Sequence, residues 1–472
     1  MEKNITTLDR GIKRITLKIN EDDFRQDIDR NLKKLRKNVR VPGFRPGKVP
    51  VSLLKKQYED ELIAEWLEKT VRKALEENDK EIDHRRYSDY VENEMIDLDW
   101  DNKKFVFVYD WLAEPQLSLN EEKIKEIPYY DVKTDKTFVD TWIEDHKFFA
   151  SDIQPAPHVD TDTSEQFTFK IEGEAEPFSW DTFHITSQKN KKSAKNKTFM
   201  KLFKGKKTGE TFKTTWKELR SALKDTERWI DSPVEKEYDD NTPVEITVGK
   251  IHKITPPDDK EFILRKLDEF YEEDDIPTDL KQDYDKNTPI DELKQRLGEI
   301  LEYRYGKDAQ IYFQDQILAG LPEWIEGELP DDFFVNYYRK VLEEGTDAEE
   351  YYRRHEKDLR TGILIDKYLH DRNIDVSNEI LGVAAILELR GLMAPQFIPD
   401  TKTEVELAMK LLKENPDFYR AAFKRAKQIL FLKEMEKLKE GQHTEIDAEA
   451  FLKLLNAFYN KQKEENRPTT ES

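Results

Sequence analysis

The chain has 472 residues, of which 38% are charged and 37% hydrophobic, and its formal net charge is −21. At roughly 150 residues per domain, this length predicts about three domains. The low apolar fraction predicts thin domains with much wet surface, while 25 Phe, 19 Tyr and 8 Trp exclude wholesale disorder. The absence of cysteine excludes disulfide scaffolds, thiolate metal sites and cysteine nucleophiles.

Targeting signals are not evident in the sequence. No apolar run reaches the roughly 18 residues that a membrane span requires, and the first ten residues lack the apolar core of a signal peptide. We therefore expect a soluble, cytoplasmic protein. Its negative charge opposes general binding to nucleic acid, so that any contact with RNA must be local.

One window near the N-terminus departs from the acidic average. Residues 12–19 alternate as a half-buried strand, after which a helical apolar stripe is predicted at Phe24, Ile28, Leu32, Leu35 and Val39. Residues 30–58 then contain ten basic side chains and no acid. A solvated helix face is one interpretation, but the length of the window favours a surface that docks on a polyanion.

The centre of this window is predicted to be an exposed loop between two helices. Residues 41–50 include three prolines and two glycines, which prevent helix formation. A second amphipathic segment starts at Val51. At the loop tip, the apolar ring of Phe44 stands beside Arg45, a pair that can anchor in a groove and bind phosphate or carboxylate.

The sequence NVRVPGFRPGKVP at 38–50 resembles the signature of bacterial trigger factor, a family of ribosome-associated chaperones. The resemblance implies that the loop docks on a ribosomal protein and adjacent RNA at the exit tunnel. Pro46 stands where many relatives have Lys, which removes one candidate phosphate contact. The implied docking residues are Gly43, Phe44, Arg45, Gly47 and Lys48. The charge pattern of the window adds a predicted RNA-facing patch at Lys33, Lys34, Arg36, Lys37 and Arg40.

The resemblance also implies an α+β multidomain fold. Its parts are an α+β ribosome-binding domain at 1–115, a helical linker at 116–156, an FKBP-like prolyl isomerase domain at 157–256, and an elongated, all-helical chaperone domain at 257–472. The pattern itself predicts strands at 167–173 and 244–254 and helices from 259 onward.

We call the predicted FKBP-like domain at 157–256 the insert. Its residues do not decide whether it is an active isomerase. Phe199 is the best candidate for the floor of a proline pocket, and its walls would be Phe178, Trp180 and Asp181. The aromatic residues fit the family pattern poorly, and an alternative is that they form the small core of a degenerate domain.

The helical half contains an unusually apolar segment at 380–398. It either packs internally or exposes patches that bind unfolded chains. His184, His252 and His370 have no metal-ligand spacing, and phosphate-binding motifs are absent, so we expect no metal, no cofactor and no ATP requirement.

The resulting hypothesis is an ATP-independent chaperone that docks at the ribosomal exit tunnel and shields nascent or unfolded polypeptides. An active peptidyl-prolyl isomerase and an RNA-binding regulator are the alternatives. Away from the ribosome, a weak homodimer is one of the expected states of the chain.

Overall fold

The computed structural model describes the 472 residues except 40–41, 43, 45–47, 83–85, 160–164, 174–178, 181–184, 188–196, 224–226, 229–238, 274–275, 394–400 and 466–472. The chain divides into two compact units. The first consists of residues 1–130 and 310–444, and the second of residues 131–309 and 445–472.

The N-terminal part of the first unit is an antiparallel sheet covered by two helices. The strand order is β1-β2-β5-β3, and β4 also pairs with β5. Ile15, Leu17 and Ile19 of β2 are buried, as the alternation in the sequence predicts. The elements are β1 (Glu2–Thr7), β2 (Ile12–Asn20), α1 (Glu21–Asn38), α2 (Val51–Glu81), β3 (Val91–Glu92), β4 (Asp97–Asp99) and β5 (Lys104–Leu112).

Helices α1 and α2 bury apolar stripes against this sheet. Phe24, Ile28 and Leu32 of α1 are fully buried, which confirms the predicted spacing. Gly11 closes the turn before β2 with a φ of 77°, and a Cβ there would lie 1.9 Å from the carbonyl oxygen of Glu114. Only glycine fits that close approach.

The remainder of the first unit is mostly helical. Its apolar core joins the end of β5 to the later helices through Leu112, Phe313, Ile317, Phe334 and Leu364, all buried. A separate small core holds α11, α12 and α13 together. The elements are β6 (Ser118–Leu119), α3 (Glu121–Glu126), β15 (Ile325–Glu326), α9 (Asp331–Val341), α10 (Ala348–Asp371), α11 (Asn378–Leu392), α12 (Thr401–Glu414) and α13 (Pro416–Lys437).

The long helix α8 (Ile290–Trp324) belongs to both units along its length, as do the short strands β7 (Tyr129–Lys133) and β16 (His443–Asp447). In the second unit, α4 (Lys136–His146), α7 (Asp259–Glu272) and the first part of α8 enclose a core that includes Ile143, Phe262 and Leu297. The segment 116–156, predicted as a helical linker, thus contains three short strands, β6, β7 and β8 (Asp152–Pro155), besides the helices α3 and α4. The last helix is α14 (Ala448–Glu465).

The rest of the second unit is the insert, built on a seven-stranded sheet of order β12-β14-β9-β11-β13, with β10 on β9 and β8 on β14. Strands β9 and β14 contain both predicted strands of the insert. The elements are β8 (Asp152–Pro155), β9 (Glu165–Gly173), β10 (Ser179–Trp180), β11 (Ile185–Ser187), α5 (Lys197–Phe203), β12 (Thr211–Thr215), α6 (Trp216–Leu223), β13 (Glu227–Arg228) and β14 (Pro243–Thr255).

Candidate functional site

The loop between α1 and α2 is anchored just before α2, and Phe44 within it is exposed. Val49 is fully buried just before α2, and the carbonyl of Pro50 accepts hydrogen bonds from the backbone N–H groups of Leu53 and Leu54. The Phe44 ring is 42% exposed. An exposed aromatic ring on an anchored loop is suited to insertion into a partner surface.

Ion pairs neutralise part of the charge on α1 and on the first turns of α2, but several lysines on either side of the loop have no ion pair among the described residues. Arg25 pairs with Glu59 at 2.7 Å and Lys55 with Asp29 at 3.3 Å, joining the two helices. Arg30 pairs with Asp27 of its own helix at 2.9 Å. Five lysines have no ion pair among the described residues and are exposed, and we call them the basic end: Lys33, Lys34, Lys37, Lys48 and Lys56.

The structure places only part of the predicted docking set. Phe44 and Lys48 are exposed, and so are Lys33, Lys34 and Lys37 of the predicted RNA-facing patch. Arg36 is half-buried, and its Nε atom is buried without a hydrogen-bond partner in the described part of the chain. The other predicted residues lie outside the described residues: Arg40, Gly43, Arg45 and Gly47.

A second surface of interest is formed by α11 and α12. Their inner side chains, including Ala385 and Leu389, pack on Phe418 and Ala422 of α13. Other apolar side chains of the two helices remain exposed, and we call them the α11–α12 apolar surface: Val383, Leu387, Leu392, Val405 and Met409. Up to residue 393, the apolar segment predicted at 380–398 is therefore packed internally on one side and exposed on the other, and residues 394–398 lie outside the described residues.

One ion pair joins the two helices of this surface. The Arg390 guanidinium donates from Nε and Nη2 to the two oxygens of Glu404, at 2.6 and 2.8 Å. The Glu404 side chain is only 2% exposed. Hydrogen bonding from Arg390 holds the pKa of the Glu404 carboxyl below its ordinary value. The bidentate geometry fixes α12 on α11 across the loop between them.

Only some of the predicted isomerase residues belong to the part of the chain that the structure describes. Phe199 lies on α5 and Trp180 on β10, whereas Phe178, Asp181 and His184 lie outside the described residues. The described core of the insert includes Phe203, Trp216 and Ile246, all fully or almost fully buried. The role of Phe199 stays a prediction.

Across the described residues, no three His, Asp or Glu side chains are grouped so that they could hold a metal ion. The helices of the same residues also include none with the length and apolarity that a membrane span requires.

The region that carries the loop and the basic end matches a known protein family. Residues 1–146 match the family model described as bacterial trigger factor protein. The resemblance to trigger factor is confirmed. Trigger factor of Clostridium perfringens is 29% identical over 137 residues, which are 27% of this chain and 31% of that protein. Trigger factor of Burkholderia cenocepacia is 43% identical over 65 residues, 14% of each chain.

The chain thus spans about a third, or less, of the length of the curated trigger factors it matches. The fold is similar over a longer range. A solved structure titled "Promiscuous Substrate Recognition in Folding and Assembly Activities of the Trigger Factor Chaperone" matches with a TM-score of 0.50 and 18% identity, covering 92% of this chain and all of that one. The predicted α+β multidomain class with a helical C-terminal part is confirmed.

Several residues of these surfaces were missed by sequence reasoning. Val405 and Met409 lie four residues apart on α12, a spacing that indicates one helix face but does not say whether that face is covered. No local sequence pattern predicts the ion pair between Arg390 and Glu404, because the two residues are fourteen positions apart and lie on different helices.

Proposed function

We propose that this chain is an ATP-independent molecular chaperone that docks at the ribosomal exit tunnel and shields nascent polypeptides. The observation that carries the proposal is the combination of exposed Phe44 with the basic end, within residues that match the trigger factor family. The chain as a whole carries a net charge of −21.

The charge distribution supports an oriented approach to an RNA-rich surface. Phosphates attract the basic end and repel the acidic remainder, so that the molecule turns its loop toward the ribosome. The ring of Phe44 then supplies short-range anchoring that long-range attraction cannot supply. Charge therefore sets the rate and orientation of the encounter, and the loop sets its specificity.

Client binding is assigned to the α11–α12 apolar surface. Its side chains are 37% to 73% exposed and offer apolar contacts without a fixed pattern of hydrogen bonds. Such contacts accept many sequences. A client that folds buries the groups it used for binding, so release requires no ATP.

The proposal predicts that ribosome binding weakens steeply with salt, because each lysine that neutralises a phosphate releases a counterion. In a variant with Lys33→Gln, Lys34→Gln and Lys37→Gln, the slope of log affinity against log salt should fall by roughly two to three units. Co-sedimentation with purified ribosomes at several salt concentrations measures this slope.

A matched control removes three charges from α2 of the same domain. Lys69, Arg72 and Lys73 each pair with a glutamate of their own helix, so a variant with glutamine at all three should keep the wild-type slope. Equal slopes for wild type and the α1 variant would refute the role given to the basic end.

Removal of the insert should leave ribosome binding and suppression of client aggregation largely intact. Strands β8 and β14 pair antiparallel at its two ends, with Pro155 opposite His252, and the N–H of Ala156 bonds the carbonyl of Ile251 at 2.9 Å. Replacing residues 157–250 by Asn-Gly would close these strands with a tight turn. The core of the insert lies almost wholly within the deleted residues, so little packing outside it is lost.

The same variant tests the isomerase alternative. Proline isomerisation limits refolding of a cis-proline client to tens or hundreds of seconds. Strong acceleration by the intact chain that disappears on deletion, and also in Phe199→Ala, would assign an active isomerase to the insert. Loss of ribosome binding on deletion would instead contradict the independence of the two activities.

A further inference from the structure

A groove of about 720 Å³ lies in the first unit, and its lining includes no residue of the basic end or of the α11–α12 apolar surface. Helix α10 forms one side, α13 the other, and the ends of α8 and α9 complete it. Its volume lies within the range of sites that hold small molecules or short peptide segments.

Aromatic rings line both sides of the groove. On the α9 and α10 side, Tyr351 stacks on His355 at 4.2 Å between centroids, and Tyr338 lies 4.9 Å from Tyr351. On the α13 side, the rings of Tyr419 and Phe423 are 5.8 Å apart and nearly parallel, at 12°. Aromatic side chains therefore contribute to the lining from both sides of the groove.

Three of these residues also offer unused hydrogen-bond donors. The hydroxyls of Tyr338, Tyr351 and Tyr419 have no hydrogen-bond partner in the described part of the chain. Burial raises the pKa of Tyr338 above its ordinary value. Each protonated phenol can donate to a carbonyl oxygen of a bound chain.

The α10 side of the groove leaves space for the backbone of a bound chain. Asp358, Gly362 and Asp366 follow one another at intervals of four residues, so they share one face of the helix. A Cβ at Gly362 would meet nothing within 4 Å, so this face is open. Asp366 is paired with Lys427 at 2.8 Å, whereas Asp358 is exposed and has no ion pair among the described residues.

We propose that this groove binds proline-rich segments of client polypeptides in the polyproline II conformation, with a Lys or Arg beside the prolines facing Asp358. This proposal rests on the proposed chaperone function, because the proline-rich segments are taken to belong to client polypeptides. Polyproline II segments make no internal hydrogen bonds, so their carbonyls are free for phenolic donors. Aromatic-lined grooves are a recurring way to bind proline rings.

One carboxylate of the lining is left to pair with the basic flank of the ligand. Asp366 pairs with Lys427, and Arg420 pairs with Asp417, whereas Asp358 has no ion pair among the described residues and can face a cationic side chain. Lys424 of α13 also lines the groove without an ion pair in the described residues, and it is assigned to carbonyl oxygens of the bound chain.

The test is direct binding of a fluorescein-labelled proline-rich peptide with terminal arginines to the full chain, followed by anisotropy without ribosomes. Gly362→Leu fills the groove and should weaken binding about tenfold or more. Leucine is the better helix former, so the helix is retained. Gly306→Leu on α8 is the matched control, because its added Cβ also meets nothing within 4 Å, and it should bind like wild type.

Two further variants test the chemistry with less disturbance. Tyr351→Phe combined with Tyr419→Phe keeps the rings and should weaken binding several-fold, while Asp358→Asn should reduce the preference for arginine over glutamate at the peptide ends. Equal binding of an alanine-for-proline peptide, or full binding by Gly362→Leu, would overturn the proposal. The peptide assay contains no ribosomes, so its result is independent of ribosome co-sedimentation. Failure of either assay therefore leaves the conclusion from the other unchanged.

Discussion

Replacing Phe44, Arg45 and Lys48 by alanine is expected to abolish ribosome binding while the chain remains folded. Phe44 is 42% exposed, and the Lys48 side chain is exposed without an ion pair in the described residues. Substitutions at such positions change stability by about 0.5 kcal/mol or less. Loss of an aromatic anchor and its neighbouring charge costs about 2 kcal/mol or more of binding free energy. Ribosome co-sedimentation and thermal unfolding measure the two effects.

A control with Met95→Ala, Lys69→Ala and Arg72→Ala removes one exposed apolar side chain and two cations from the same domain. Met95 is 61% exposed, and the two cations are engaged with glutamates of their own helix. This control should pellet with ribosomes like wild type. If the loop variant also pellets with wild-type affinity, the docking assignment is wrong.

The second large effect is expected from Arg390→Ala, which leaves the buried Glu404 carboxylate without its partner. Removing one member of a buried ion pair costs about 3–5 kcal/mol, and we expect about 2 kcal/mol here because the Arg390 side chain is 50% exposed. The loss should appear as faster hydrogen exchange in α11 and α12. Because this pair positions the α11–α12 apolar surface, suppression of client aggregation should fall as well.

The pH dependence follows from the lowered pKa of Glu404. Its ordinary value is 4.5, so the stability that the pair contributes is fully present above pH 4.5 and decreases as the pH falls toward the folded-state pKa. The double variant Arg390→Met with Glu404→Leu should recover much of the lost stability and lose this acid dependence. An unchanged acid profile of hydrogen exchange in that variant would contradict the role of the pair.

Much of the basic end and of the loop beside it was predictable, because the residues that determine them are close together in the sequence. The spacing of Phe24, Ile28 and Leu32 identifies the buried face of α1, since the helical period is fixed by backbone geometry. The same period leaves Lys33, Lys34 and Lys37 outside. Prolines and glycines define the loop between the helices by their restricted or permissive backbone angles.

The groove was not predictable because it depends on contacts across long sequence separations. Tyr338, Tyr351 and Tyr419 belong to three helices, and each has a spacing that ordinary core packing also produces. Glycine in a helix usually indicates only lower stability. That Gly362 opens onto a cavity follows from where α10 meets α13, which no local pattern encodes.

The closely spaced ends of the insert make this chain suitable for exchange of a whole module. Because β8 and β14 lie side by side where the insert enters and leaves, a foreign domain with adjacent termini could occupy the same position without stretching either strand. If the chain binds ribosomes as proposed, a fluorescent protein grafted there would report that binding. The pairing of β8 with the end of β14 therefore marks a position at which a second domain can be inserted into the chain.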